Sequence, residues 1–230
     1  MKTYFNWSSG KDAALALYHL KRKLTVERLL TTINAHHDRV SMHGLRTTLL
    51  VQQVENIGLP LSTIALSEQP SIEEYDQKMT EAIAQLKTEG YTDCGFGDIF
   101  LEDLRAYREK QLEGITCHFP LWKRDTQDLI KEFITLGFKA IIICLNAKLL
   151  DASWLGREID ESFIRALPTH IDPCGENGEF HTFCFDGPIF SKPIAFQKGE
   201  KVLRQYRKPK KDIQAPEAKE GFWFIDLLPI

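Results

Sequence analysis

Short apolar runs recur along the first two thirds of the chain, and amphipathic stretches separate them. Runs of this length bounded by Gly, Pro, Asn or Asp are typical of buried strands, whereas an apolar stripe repeating every three or four residues predicts a helix. Strands are predicted over residues 2–7, 28–33, 61–66, 92–96, 115–119 and 138–145. Helices are predicted between them, over residues 12–22, 46–57, 71–89, 102–113 and 125–136.

Regular alternation of apolar strands and helices indicates an α/β fold, a doubly wound parallel sheet whose ligands sit beyond the carboxyl ends of the strands. After residue 150 the alternation stops. The pattern there predicts a helix over 157–167, a Gly-rich loop over 174–179 and strands over 180–185, 194–206 and 222–227. We therefore expect one domain over residues 1–150 and a smaller α+β region over residues 151–230 packed on it.

Charge and composition narrow the class of protein. The chain of 230 residues carries 29 Lys and Arg against 32 Asp and Glu, a net charge of −3, and 43% of it is hydrophobic. These values exclude a disordered chain, a collagen and a small disulfide scaffold. Nucleic acid and membrane surfaces are not expected partners, because neutralising their phosphates requires an excess of Lys and Arg.

Cysteine usage and the N-terminus predict a cytoplasmic protein. The five cysteines form an odd set without a CxxC pair, which indicates reduced thiols. The chain starts without the apolar core of a secretory signal, and its longest purely apolar stretch, residues 140–145, is too short to cross a bilayer.

The segment WSSGKDA, residues 7–13, lies between the first predicted strand and the first helix. Unpaired N–H groups and the helix dipole make such a helix N-terminus an anion site, and Gly10 permits close approach of a phosphate. Ser8 and Ser9 add hydroxyl donors and Lys11 a cation. A Ser N-cap in a tight turn with Gly and Asp12 would explain the same residues.

The loop is not a Walker A sequence, because Phe5 stands where that motif has its first glycine and Asp12 where it has Ser or Thr. Residues 8–13 resemble instead the SGGKDS loop of the adenine nucleotide α-hydrolase (PP-loop ATP pyrophosphatase) superfamily. Further segments follow in the order seen in the diphthine-ammonia ligase family, and the resemblance covers residues 2–190. These segments are NIGLPL (56–61), GDI (97–99), LW (121–122) with Asp125, LGR (155–157) and GENGEFHT (175–182).

The resemblance implies a HUP/Rossmann-like fold and an ATP-dependent carbon–nitrogen ligase that uses ATP and Mg²⁺. Such an enzyme would activate a carboxylate as an acyl adenylate, release pyrophosphate, and then release AMP on attack by ammonia. Ser9 and Ala13 depart from the family glycine and serine, which removes one hydroxyl contact to phosphate. Asn177 and His181 depart from the usual GEGGEFET and resemble the bacterial branch, so the chemistry is expected to carry over more readily than the substrate.

Asp98 follows Gly95 and Gly97 at the end of the fourth predicted strand. Asp98 could hold Mg²⁺ or the ribose, and the glycines would let a nucleotide approach the backbone. A turn with Asp98 as the cap of the next helix is the simpler explanation from the residues alone, whereas the resemblance favours the nucleotide-binding role.

Arg105 shares one helical face with Glu102 and Arg108. An ordinary ion pair is the simpler interpretation. If this face turns toward the strand ends, Arg105 could clamp a phosphate or carboxylate with two hydrogen bonds, and we include it among the nucleotide-binding residues.

Glu176, Glu179 and His181 concentrate titratable groups beside glycine hinges. On a strand, Glu179 and His181 would point to the same face, where they could bind ammonia and take its proton. Together with Lys11 of the segment 7–13, which we call the phosphate loop, they are the predicted catalytic residues. Cys174 lies beside them, and an inert thiol is preferred there to a nucleophile.

We assign no function from the sequence to two other clusters of polar or charged residues. A solvated loop is preferred to a metal site for His36, His37, Asp38 and His43, although the strand end would let His43 or Arg46 meet the phosphates. For residues 198–211, which are rich in Lys and Arg, an edge strand protected by lysines is preferred to an RNA-binding patch.

The predicted reaction therefore takes ATP, a carboxylate on a small molecule or protein side chain, and ammonia. Two alternatives remain open: a PP-loop ATP pyrophosphatase acting on another acceptor such as a tRNA base, and a nucleotide-binding regulator without turnover. A homodimer also stays open.

Overall fold

The computed structural model describes residues 1–41, 43–207 and 219–230. Its first sheet has a parallel core in the order β4-β2-β1-β5-β6, and a short strand β3 pairs antiparallel with β2. The strands of this sheet are β1 (Lys2–Asn6), β2 (Val26–Asn34), β3 (Arg39–Val40), β4 (Leu61–Leu66), β5 (Tyr91–Gly95) and β6 (Thr116–His118). The α/β class with a mainly parallel sheet is confirmed.

Six α-helices lie among the described residues. They are α1 (Lys11–Lys21), α2 (Thr47–Ile57), α3 (Ile72–Thr88), α4 (Glu102–Gln111), α5 (Thr126–Thr135) and α6 (Glu161–Ala166). Their ends follow ordinary capping chemistry: Gly58, with φ +73°, ends α2, and the Ser71 hydroxyl accepts the Glu74 N–H at the start of α3. The Glu74 side chain bonds to Ser67 instead of closing a capping box.

The strand predicted over residues 138–145 forms and is buried, but it does not join the parallel sheet. It opens a second, four-stranded sheet in the order β8-β7-β10-β9, in which each neighbouring pair is antiparallel. Its strands are β7 (Lys139–Asn146), β8 (Phe180–Asp186), β9 (Phe196–Arg207) and β10 (Lys219–Pro229). The prediction that this strand belongs to the parallel sheet was therefore wrong. An apolar run indicates that a strand is buried on both faces, but it does not indicate whether the neighbouring strands run parallel or antiparallel to it. The division at residue 150 stays a prediction.

The predicted edge strand is confirmed, since β9 ends the second sheet among the described strands. Lys198, Lys201 and Arg204 lie on it and are exposed, as the lysine-protected edge requires. Arg207 is the last residue of β9, and the other basic residues of the segment, Lys208, Lys210 and Lys211, lie outside the described residues. A search of the described helices finds none long and apolar enough to cross a membrane.

Both sheets share one hydrophobic core. Buried side chains from Phe5 in β1 to Leu227 in β10 belong to a single cluster that includes the apolar face of α1. A smaller cluster on the other side of the first sheet joins Tyr4, Leu30 and residues of α3. The first helix therefore lies between the parallel sheet and β8, which places its N-terminus where the two sheets meet.

Gly95 and Gly97 serve this packing. A Cβ on Gly95 would overlap Leu20 of α1 and come within 2.6 Å of Phe5 Cδ2, and one on Gly97 would lie 2.9 Å from the Ala13 nitrogen. Side chains and the first turn of α1 therefore already fill the space beside both glycines. Packing alone accounts for glycine at these positions, so the predicted approach of a nucleotide is not needed to explain them. Close approach of α1 to β5 explains both.

Gly95→Ala should test this packing. The added methyl group has nowhere to go, and we expect a loss of about 1–3 kcal/mol in unfolding free energy, the usual cost of overpacking. Gly221→Ala is the matched control, because its Cβ would lie at an ordinary 3.4 Å from Leu203 Cδ1. Chemical denaturation measures both, and equal losses would contradict the interpretation.

Candidate functional site

The order of the parallel strands defines where a ligand would bind. After β1 the chain continues on one side of it through β2 and β4, and later on the other side through β5 and β6. Ligands of doubly wound sheets bind beyond the carboxyl ends of the two strands at which the order reverses. Here those ends lead into the loop before α1 and into residues 96–101.

The loop before α1 is fixed by the second sheet. Ser9 adopts φ +71° and is fully buried, and its carbonyl accepts hydrogen bonds from Cys184 N at 2.9 Å and from Gln53 Nε2 at 3.0 Å. The Lys11 N–H donates to Thr182 Oγ1 at 3.0 Å. Ser8 precedes this turn and is half-buried, and Gly10 is the N-cap of α1. The Ser9 hydroxyl oxygen is buried without a hydrogen-bond partner among the described residues.

The side chain of Gln53 joins three segments and was missed by sequence reasoning. Its Oε1 accepts the Trp7 indole N–H at 3.1 Å, and its Nε2 donates to the carbonyls of Ser9 and of Cys184, the latter at 2.6 Å. A signal was present in the sequence, because Gln53 is the polar member of the otherwise apolar stripe on α2. That stripe consists of Leu49, Leu50, Val54 and Ile57.

Lys11 is an almost fully buried cation, with 2% of its surface exposed. Its ammonium donates to both carboxylate oxygens of Asp12 at 2.7 Å and to the Cys174 carbonyl. Burial alone would lower the pKa of Lys11, but the neighbouring negative groups, with Asp12 first, together outweigh it and the net shift is upward. The ammonium therefore stays charged.

Acidic groups surround this lysine. Burial raises the pKa of Asp12, to which Asp172 adds repulsion, and burial also raises the pKa of Asp98. The pKa of Glu176 rises to about 8, first through burial and then through the negative charge of Asp12. Predicted residues from three separate segments thus lie close enough to change each other's protonation.

Arg108, in addition to the predicted Arg105, lies near the carboxyl ends of the strands. Its Nε lies 3.0 Å from Asp98 Oδ2, although neither atom makes a well-aligned hydrogen bond. Arg105 bonds to Glu109 at 2.8 Å and lies 4.7 Å from the ring centres of both Phe119 and Trp122. Asp98 is not a helix cap, since the N-cap of α4 is Leu101.

Glu179 organises the loop before β8. Its carboxylate accepts hydrogen bonds from Asp172 N at 3.1 Å, from Asn177 N at 2.8 Å and from Asn177 Nδ2 at 3.1 Å, and the residue is 2% exposed. Asp172 bonds in turn to Cys174 N at 2.8 Å and to Thr126 Oγ1 at 2.7 Å. These bonds fix the loop that carries Glu176.

His181 and His43 stack at the same site. Their ring centres are 4.7 Å apart at an angle of 27°, and His43 Cε1 lies 3.2 Å from where a Cβ on Gly10 would be. Burial lowers the pKa of His181 to about 4 and that of His43 to about 3, so both rings are neutral at pH 7. His43 therefore lies at the phosphate loop, whereas the sequence alone favours a solvated loop for this residue.

Of four other residues considered from the sequence, Arg46, His36 and His37 make their contacts elsewhere, and Cys174 is buried. Arg46 bonds to Asp226 of β10, with Nη2 to Oδ2 at 2.6 Å. Burial raises the pKa of the Cys174 thiol, as expected for an unreactive cysteine. His36 and His37 form an exposed group with Glu68.

The donor set fits Mg²⁺. Asp12, Asp98 and Glu176 are partly desolvated carboxyls with raised pKa values, and Asp98 Oδ2 lacks a well-aligned hydrogen bond. Among the described residues these carboxyls do not form a preassembled group of three ligands. Mg²⁺ usually takes one or two carboxylates together with substrate phosphates, which agrees with this arrangement.

The fold is that of a doubly wound α/β protein, and the loop predicted to bind phosphate lies where the strand order reverses. The chain belongs to the diphthamide synthase family: the N-terminal domain of that family matches residues 1–116 and its C-terminal domain matches residues 125–213.

Relatives of known name agree with this assignment. Diphthine--ammonia ligase of Mus musculus is 37% identical over 90 residues, which are 36% of this chain and 33% of that protein. The enzyme of Homo sapiens is 36% identical over 88 residues with the same coverage, and that of Danio rerio is 28% identical over 171 residues, 65% of each chain. The matched stretch thus spans about a third of the mouse and human proteins.

One solved structure resembles the chain weakly. It is described as a predicted subunit of tRNA methyltransferase from Methanocaldococcus jannaschii, with a TM-score of 0.39 and 15% identity over 62% of this chain and 80% of that one.

Gln53→Leu should destabilise the protein. The substitution leaves the buried Trp7 indole N–H without its acceptor, and we expect a loss of about 2 kcal/mol in unfolding free energy. Gln52→Leu, one residue earlier and half-buried, should change it by less than about 0.5 kcal/mol. Chemical denaturation distinguishes the two, and a neutral Gln53→Leu would show that the amide is dispensable.

Glu176 should make stability depend on pH. Its pKa rises from 4.5 to about 8 on folding, so the folded state binds the proton more tightly and loses stability as pH rises between these values. Glu176→Gln should therefore raise the melting temperature at pH 8 more than at pH 5. The exposed Glu161→Gln serves as the control, and an equal effect of Glu176→Gln at both pH values would refute the assignment.

Proposed function

We propose that the chain is an ATP-dependent ligase of the diphthine-ammonia ligase type, which converts a carboxylate into an amide. The observation that carries the proposal is that the phosphate loop of the first sheet and the Glu176–His181 segment of the second meet at one site. Family membership supports the same activity.

The phosphate loop would bind the β and γ phosphates of ATP. Residues 8–12 would offer backbone N–H groups other than that of Lys11, which donates to Thr182 Oγ1, and the buried Ser9 hydroxyl, which has no hydrogen-bond partner among the described residues. Lys11 supplies a positive charge that its pairing with Asp12 maintains. Gly97 supports the first turn of α1. Arg105, with 33% of its side chain exposed, is proposed to contact the nucleotide.

Asp98 and Asp12 are the residues proposed to hold Mg²⁺, which when bound would neutralise phosphate charge. Without such a cation, the carboxyls beside Lys11 would repel the nucleotide. Arg108, whose side chain reaches Asp98, fixes the orientation of that carboxylate.

The first half-reaction would be adenylation. A substrate carboxylate oxygen attacks the α phosphorus, the bond to the bridging oxygen of the β phosphate breaks, and pyrophosphate leaves. The product is an acyl adenylate, whose acyl carbon is far more electrophilic than a free carboxylate.

The second half-reaction would be amide formation. Ammonia attacks the acyl carbon, AMP leaves, and one proton must be accepted. Glu176, with a pKa of about 8, is a stronger base than an ordinary carboxylate, and neutral His181 lies in the same site. Glu179 holds this segment in place through its hydrogen bonds and acts on the reaction by positioning Glu176.

The acid that is activated is proposed to be selected by residues 151–230, since the loop before β8 belongs to them. Diphthine and ammonia are the substrates in the relatives' name. All five cysteines are free thiols, which supports the cytoplasm as the proposed compartment.

Product analysis tests the proposal. Incubation with ATP, Mg²⁺, ammonium and a panel of carboxylic acids, including diphthine-containing peptide, should yield AMP and pyrophosphate together with the amide. ADP and phosphate would overturn the mechanism. Turnover that requires RNA would favour a tRNA acceptor, and ATP binding without turnover would favour a regulator.

Matched variants separate the half-reactions. Lys11→Ala should abolish acid-dependent exchange of labelled pyrophosphate into ATP. Glu176→Gln should retain that exchange and lower ammonia-dependent amide formation by about 100-fold or more, as for loss of a general base. Exposed Glu161→Gln should alter neither step. Loss of exchange in Glu176→Gln would place that residue in adenylation instead.

A further inference from the structure

We propose that His36, His37 and Glu68 form a binding site for a divalent transition-metal cation of the zinc type, separate from the nucleotide site. One ligand atom from each residue lies within 4.8 Å of the others. His37 Nε2 is 3.2 Å from Glu68 Oε1, and the two imidazole ring centres are 4.8 Å apart at 78°.

The parallel sheet brings these residues together. Asn34 at the end of β2 pairs in register with Leu66 at the end of β4, so the loops after both strands start side by side. His36 and His37 lie in the first loop and Glu68 in the second. His37 and Glu68 are 31 residues apart in sequence but adjacent at one edge of the sheet.

Asn34 holds both loops in this arrangement. Its Oδ1 accepts the N–H groups of His36 at 3.1 Å and His37 at 3.0 Å. Its Nδ2 donates to the carbonyls of Ser67 at 3.4 Å and Glu68 at 3.1 Å. One side chain thus fixes the backbone of all three ligands, which is the kind of outer support that protein metal sites use.

The donor set selects the class of cation. Two imidazoles and a carboxylate suit Zn²⁺, Ni²⁺ or Cu²⁺, whereas Mg²⁺ and Ca²⁺ prefer oxygen ligands throughout. Tetrahedral zinc with ligand distances near 2 Å places its ligand atoms about 3.3 Å apart. The His37–Glu68 separation already matches this value, and the exposed side chains can close the rest by rotation.

The proposed metal site is distinct from the phosphate loop. It includes His36 and His37 of the histidine cluster noted in the sequence, but not His43. His43 stacks on His181, and neither His43 nor Asp38 belongs to the group of possible ligands. None of the three proposed ligands contributes to the proposed reaction, so binding of the metal can be tested without any activity assay.

Zinc titration of the full chain tests the proposal, by calorimetry or by competition with a chromophoric chelator. We expect one Zn²⁺ per chain and no competition from Mg²⁺. His36→Ala and Glu68→Gln should each weaken binding by at least about tenfold. Asn34→Ala, which leaves every ligand intact, should weaken it by about 10-fold or more, as outer-shell substitutions do.

Two controls exclude other zinc ligands. His170→Ala removes an exposed histidine remote in sequence from the group, and Cys117→Ser removes the half-buried thiol; both should leave the affinity unchanged. Melting curves without zinc establish that each variant is folded. Absence of stoichiometric binding, or binding that depends on Cys117 and not on His36 and Glu68, would overturn the proposal.

Discussion

The contact between β8 and the loop before α1 is the interaction on which the site depends. Ser9 in a left-handed conformation turns its carbonyl into the protein, where a buried oxygen must find donors. Cys184 and Gln53 supply them, and Thr182 accepts the first N–H of α1. The second sheet therefore shapes the turn before α1 in the first, so neither sheet alone would form the candidate site.

This contact concentrates charge in a place with little water. Lys11 is buried beside the half-buried Asp12, and the pKa values of Asp12, Asp98 and Glu176 are all raised, first by burial and then by neighbouring negative charge. Partial burial of these carboxyls opposes folding at neutral pH, because taking a charge out of water is costly. Such an arrangement is typical of functional sites, where perturbed protonation serves binding or proton transfer.

Local signals in the sequence predicted most of the parallel sheet, its helices and the loop before α1, since periodicity and caps act over a few residues. What they missed depends on long-range pairing. The sheet to which β7 belongs is set by β8 and β10, and the partner of Lys11 N is Thr182, 171 residues away. The pairing of Arg108 with Asp98 depends on helix rotation, which shared spacing does not fix. The two-residue strand β3 is too short to show a period.

The charge pattern at the site also bears on the nitrogen donor. Neutral His43 and His181 add no positive charge next to Lys11, so they would not repel a small cation such as ammonium in the proposed reaction. In the proposed reaction ammonia loses one proton as it attacks the acyl carbon, and a carboxylate with a pKa near 8 accepts that proton more readily than one near 4.5. Burial of Glu176, which costs stability, would thus supply the base that the amidation step requires.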